Sequence, residues 1–131
     1  MNASDSLGKL IFRLSLGGLM LFHGIDKITN PGSMDFITGK VAEMGLPDLL
    51  AYGVYVGEVL APIMVIIGLF ARIGGLLIAI NMTAAIFLVH MGQLTLLNQT
   101  GGWDLELQAC YLFGGLSLLF MGSGDFAARP D

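Results

Sequence analysis

Charge is scarce in this chain, cysteine almost absent, and a basic cluster missing altogether. Charged residues make up 12% of the 131 positions, where an ordinary soluble domain carries about 25%. With 55% hydrophobic residues and a mean hydropathy of +0.79, a soluble fold would leave large apolar patches in water and aggregate. The net charge of −4 comes from scattered acids, and the lack of a basic stripe excludes nucleic acid as a partner. A lone Cys110 excludes an intramolecular disulfide, a CxxC redox pair and a zinc finger. After Phe22 the chain reads His-Gly-Ile-Asp-Lys rather than a small-residue cleavage pattern, so no removable signal segment is expected. No repeat or low-complexity tract appears, and the length suits a single domain over residues 1–131.

What is there is apolar sequence in long runs. Four segments stand out: Leu7 to Ile28, Leu49 to Phe70, Ile73 to Leu94 and Leu105 to Met121. Each is roughly 17–22 residues, enough to cross a hydrocarbon core of about 30 Å. The first is interrupted by Lys9 and Arg13, and it spans only if those side chains reach to one surface. Ala71-Arg72 barely separates the second and third segments, which implies an antiparallel hairpin. The longest link opens with Asn30-Pro31-Gly32 and closes with Gly45-Leu46-Pro47; between them Met34, Ile37, Val41 and Met44 recur at spacings of three and four. That pattern predicts a short amphipathic helix lying in the interface. The expected fold is therefore all-α: an integral membrane four-helix bundle with a short interfacial helix between the first and second spans. Lys9, Arg13, Arg72 and Arg129 fall on one side, Lys27 and Lys40 on the other, which predicts both termini on the cytoplasmic side. Arg13 and Arg72 are then topology residues. Gly53, Gly57 and Ala61 form a small-residue stripe suited to close helix packing.

The polar residues converge in depth. His23-Gly24-Ile25-Asp26-Lys27 ends the first span. Glu58 lies about nine residues into the second, roughly 14 Å from its outer end, and shares a helical face with Tyr55. Pro62 leaves the Glu58 carbonyl without its normal partner. His90 shares a face with Gln93 near the outer end of the third span, and Trp103, Asp104 and Glu106 open the fourth. Bundles build ligand sites from such inward-facing groups, and an ionisable group in a membrane is a functional candidate because it is costly to keep there. Glu58 and His23 are the candidate catalytic residues; Lys27, Tyr55, His90, Trp103, Asp104 and Glu106 are the candidate ligand contacts. Each also has a structural reading: Glu58 as a paired core carboxyl, the histidines as interface residues, Trp103 as a belt anchor, the two acids as helix N-terminal charges. Asn81, nine residues before His90, falls half a turn out of phase and is expected to face another neighbour. No HxxxH or ExxH spacing supports a metal site, and none is expected.

Taken together, these residues resemble the DoxX family of small bacterial and archaeal inner-membrane proteins. The resemblance rests on Arg13, His23-Gly24 with Lys27, Gly45-Leu46-Pro47, Glu58, Gly68-Leu69-Phe70-Ala71-Arg72, Val89-His90, Gly101-Gly102-Trp103 and Gly122-Ser123-Gly124. The family's acid after Gly-Gly-Trp is Glu; here it is Asp104, with Glu106 two residues on, which puts the position of that carboxylate in question. The resemblance implies a four-helix protein of the cytoplasmic membrane linked to redox chemistry, since relatives include a subunit of a thiosulfate:quinone oxidoreductase and a membrane partner of oxidative-stress enzymes.

Three functions fit these readings. The first is a membrane subunit of a redox system that binds a quinone, or a similar small molecule, in a polar pocket between helices. A quinone needs an apolar slot for its tail and donors for its carbonyls, and its reduction takes up protons, which requires a titratable group. No flavin or nicotinamide motif is present, so electrons would come from a soluble redox enzyme or a second membrane subunit. The second is a non-catalytic membrane anchor for soluble redox enzymes, using an exposed face such as Asn30–Asp48. The third is a small-molecule transport protein with Glu58 as a proton-coupled site, which would require several copies to assemble.

Overall fold

The computed structural model describes residues 1–131 and contains five helices and no strand. Helix α1, Ala3–Thr29, starts at Asn2, whose side chain accepts from the Asp5 N–H, and ends at Asn30. Asn30 serves again as the N-cap of α2, Pro31–Glu43, by accepting from the Gly32 N–H. One residue thus closes one helix and opens the next, and Pro31 sits at the first position, where its missing N–H costs nothing.

Helix α3 runs Asp48–Ile67 and α4 runs Ala71–Gln93. Both are long and apolar enough to cross a membrane. Helix α5, Glu106–Met121, is apolar but has 16 residues. Helix α1 is longer, at 27 residues, but carries Lys9 and Arg13 in its apolar stretch. The α3–α4 turn is tight: Gly68 closes α3 at φ +75, the left-handed conformation that glycine takes at helix ends.

Neither long helix is regular. Helix α3 begins as a 3₁₀ turn, Asp48–Tyr52, and passes through a π turn at Val56–Leu60, where the Ala61 N–H donates to the Val56 carbonyl. Pro62 explains the widening. It has no N–H to offer Glu58, and its ring would strike the Glu58 carbonyl in a regular turn. Helix α4 has a second π turn, Ile86–His90.

Only 28 of 131 residues are buried. The core is one cluster from four helices: Leu16 and Met20 of α1, Ala61 and Val65 of α3, Ile78 and Met82 of α4, Tyr111 and Leu118 of α5. Helices α4 and α5 touch backbone to backbone at Gly75 and Gly115, where a Cβ on either would meet the other's carbonyl. Large side chains cover the outside: Phe22 is 71% exposed and Phe120 77%. An apolar exterior around a thin core is how a helix bundle looks when its solvent is lipid.

Arg13 corrects one expectation. It does not reach a surface but is 1% exposed. Its guanidinium donates to the carbonyls of Val65 (2.9 Å), Ile66 (3.1 Å), Ser123 (3.0 Å) and Phe126 (2.8 Å). Two of these carbonyls belong to the last turn of α3, which has no helical partners. The other two lie in residues 122–131, which fold back under the bundle. There the N–H groups of Ala128 and Arg129 donate to Ile67 and Gly68, and Arg72 donates through its backbone N–H to the Asp131 carboxylate at 3.0 Å.

Candidate functional site

The site is built where α1, α3 and α4 approach most closely. Two glycines permit it. A Cβ on Gly24 would run into the Glu58 carbonyl, the group that Pro62 leaves free. A Cβ on Gly57 would run into the Asn81 side chain. With hydrogens there instead, the Glu58 carboxylate sits between two donors. Lys27 Nζ lies 3.3 Å from Oε1, and Asn81 Nδ2 donates to Oε2 at 3.2 Å. The Tyr55 hydroxyl donates to the Lys27 carbonyl at 3.3 Å. An ammonium and an amide at these distances offset part of the cost of desolvating the carboxylate.

Lys27 also faces outward, 4.0 Å from Asp26 Oδ2. Asp26 in turn accepts from Ser33 at 2.5 Å and from Asn30 at 3.4 Å, which ties the end of α1 to the start of α2.

This cluster forms one wall of a cavity of about 1120 Å³, lined mostly by apolar side chains of α2, α3 and α4. His23 lines it and meets the Tyr111 ring edge-on, with centroids 5.7 Å apart. His90 and Gln108 stand on its wall as well. His90 Nδ1 is 2.6 Å from Gln93 Oε1, and Gln108 Nε2 is 3.5 Å from His90 Nε2. Both ring nitrogens of His90 thus have a glutamine partner, and an amide can serve either as donor or as acceptor.

The candidates therefore divide. His23, Lys27, Glu58 and His90 line one cavity; Tyr55 stands behind it, holding the Lys27 backbone. Trp103, Asp104 and Glu106 do not line it. They belong to the α4–α5 link, where Trp103 donates to the Leu94 carbonyl at 2.9 Å and Glu106 accepts from Asn98 at 3.0 Å. Asn98 organises that link by also accepting from Thr100 and Gly102. Gly57 packs against Asn81, whereas Gly53 lines the cavity and nothing lies near the place of its Cβ, so the small-residue stripe is a helix contact over only part of its length.

Asn81 and Gln108 were not legible as site residues, whereas Asp26 belongs to the His23–Lys27 stretch that the sequence already singles out. In a regular helix nine residues at about 100° each put Asn81 opposite His90. The π turn between them absorbs an extra residue, takes roughly 100° off that offset, and brings both to the cavity.

The fold and the site define an all-α protein with an apolar exterior and a partly buried Lys–Glu–Asn cluster on an apolar cavity. The chain belongs to the DoxX family, whose model matches residues 8–91. It is also 32% identical over 92 residues to a protein of Bacillus subtilis (strain 168) named "Putative oxidoreductase CatD". That alignment takes in 70% of this chain and 66% of the relative, so the chain spans slightly less than two thirds of the relative's length. No solved structure matches it. The family match covers α1 to α4 and stops before the Gly101-Gly102-Trp103 segment.

Proposed function

We propose that this chain is the membrane subunit of a redox system, that it crosses the cytoplasmic membrane four times with both termini inside, and that its cavity binds a quinone. The observation that carries this reading is one of composition and placement. A cavity of about 1120 Å³ exceeds the usual small-molecule pocket, about 300–1,000 Å³, and leaves room for a ring with part of an isoprenoid tail. Its walls are apolar over most of their area, and its polar groups are few and clustered, as orientation of one polar ring requires. A quinone, when bound, supplies two-electron, two-proton redox chemistry. The chain's own residues would do the rest: Lys27 and Asn81 offer donors, Glu58 holds a proton, His23 and His90 flank the ring, and the helices keep water out. The name of the Bacillus relative agrees with a redox role, and electrons would arrive from a partner protein.

The purified chain in lipid nanodiscs, titrated with decylubiquinone, tests the proposal. Saturable binding that releases or takes up protons in wild type, and binding without that proton change in Glu58→Gln, is the expected result, because glutamine keeps size and hydrogen bonding but cannot titrate. Absence of saturable binding would remove the quinone reading and leave the anchor or transport reading.

A further inference from the structure

Glu58 is buried, yet a graded line of charged groups leads from it to one surface of the bundle. Side-chain exposure falls from 48% at Asp26 to 15% at Lys27 to 8% at Glu58, with Lys27 Nζ 4.0 Å from the first carboxylate and 3.3 Å from the second. Toward the opposite surface the arrangement is different. Below Glu58 come Met20, Leu16, Ala61, Val65, Ile78 and Leu118, all apolar and all buried. Beyond them Arg13 has its guanidinium committed to four carbonyls, so it can neither accept a proton nor open a water path. The dry layer runs from Met20 to Arg13, seven residues of α1 or about 10 Å.

We infer that Glu58 is reached by protons from bulk water only from the surface that carries the α1–α2 connection, through Lys27 and Asp26, and that Asp26 is the entry residue of this path. The balance is simple. The Lys27 ammonium gives a proton to the Glu58 carboxylate. The neutral amine takes one from the protonated Asp26, and Asp26 refills from water. One proton moves from the surface to Glu58 and Lys27 ends as it began. The other titratable groups near Glu58 are His23 of α1, Tyr55 of α3 and Tyr111 of α5, with Lys40 of α2 and His90 of α4 on the wall of the same cavity. His23 is on the same outer half, Tyr55 is hydrogen-bonded to the Lys27 backbone, and the Tyr111 ring is occupied with His23. None of them opens a route through the apolar layer. The inference rests on the proton role given to Glu58 above, but its sidedness is independent of what the cavity binds.

The test is thiol access in spheroplasts and inverted vesicles, in a Cys110→Ser background, with the membrane-impermeant sulfonatoethyl methanethiosulfonate. Asp35→Cys and Ser4→Cys report the two surfaces. Glu58→Cys should react from the Asp35 side about tenfold or more faster than from the Ser4 side, because a sulfonate does not cross a dry apolar layer. Asn81→Cys, which contacts Glu58 without replacing it, should behave alike and serves if Glu58→Cys does not fold. In a second arm, proton exchange at Glu58 after a downward pH jump is followed by the loss of its carboxylate infrared band in nanodiscs, with Glu58→Gln identifying the band. Asp26→Asn should slow that exchange and Asp26→Glu restore it, a pattern a merely structural Asp26 would not produce. Equal access from both sides, access from the Ser4 side, or exchange unaffected by Asp26→Asn would overturn the path. If these results hold while decylubiquinone does not bind, the proton path stands and the quinone reading alone falls.

Discussion

At the residue scale the molecule is organised by two charges that sit where charge is costly. Glu58 is held by Lys27 and Asn81, Arg13 by four carbonyls. The two differ in kind. Four of the five N–H donors of Arg13 are used on backbone carbonyls, so its work is structural. Replacing it with Met keeps bulk and strands those carbonyls, each worth about 1–3 kcal/mol when left unpaired; thermal unfolding in detergent should show a fall large enough to prevent purification of much of the protein. Glu58, by contrast, meets side chains that can change partners, and Glu58→Gln should unfold close to the wild-type temperature while losing proton coupling. Gly24 makes a third test. Alanine there places a methyl group on the Glu58 carbonyl, and the forced separation of α1 from α3 should cost about 1–3 kcal/mol and lengthen the Lys27–Glu58 pair.

At the element scale the two π turns decide what the cavity sees. One lies at Val56–Leu60 and carries Glu58; the other, at Ile86–His90, ends on His90. This is also where sequence reading stops. The existence of the helices and the breakers at Pro31 and Pro47 were legible, because apolar run length and turn chemistry are local properties, whereas the second apolar run reads through Gly68 to Phe70 and the helix stops at Ile67. So was the awkward Glu58 carbonyl, since Pro62 announces it. The phase of Asn81 was not legible: a π turn has no sequence mark comparable to proline, and one extra residue rotates everything after it. The fold-back of residues 122–131 was hidden for another reason. Its contacts are to residues more than fifty positions away, such as Ile67 and Arg13, and a short Gly-Ser-Gly tail reads as a loop. If that tail is the acceptor for Arg13, removing residues 123–131 and replacing Arg13 with Met should not add. The double variant should unfold no lower than the worse single one, a coupling measurable in a double-mutant cycle.

At the scale of the whole molecule the question is how a chain with few buried residues keeps a stable interior. The exterior of α1, α3, α4 and α5 is apolar, and the charged residues gather toward the two ends. The four-span reading follows if α1 crosses with Lys9 and Arg13 at one end: Lys9 donates to the Met121 carbonyl at 3.0 Å, and the Arg13 guanidinium is solvated by four backbone carbonyls. Helix α2 lines the cavity and is fixed to α1 by the Asp26–Ser33 contact, so Ser33→Ala should loosen it and speed exchange of its amide hydrogens without lowering the global unfolding temperature. The central claim is that the space beneath α2, beside Glu58, is a quinone site. Photo-crosslinking with an azido-quinone in nanodiscs, followed by peptide mapping, addresses it directly. The account predicts label on the cavity-facing segments Phe36–Met44 and Leu77–Leu88, suppressed by excess decylubiquinone. Label spread over the lipid-facing Phe22, Phe113 and Phe120, and indifferent to competitor, would contradict it.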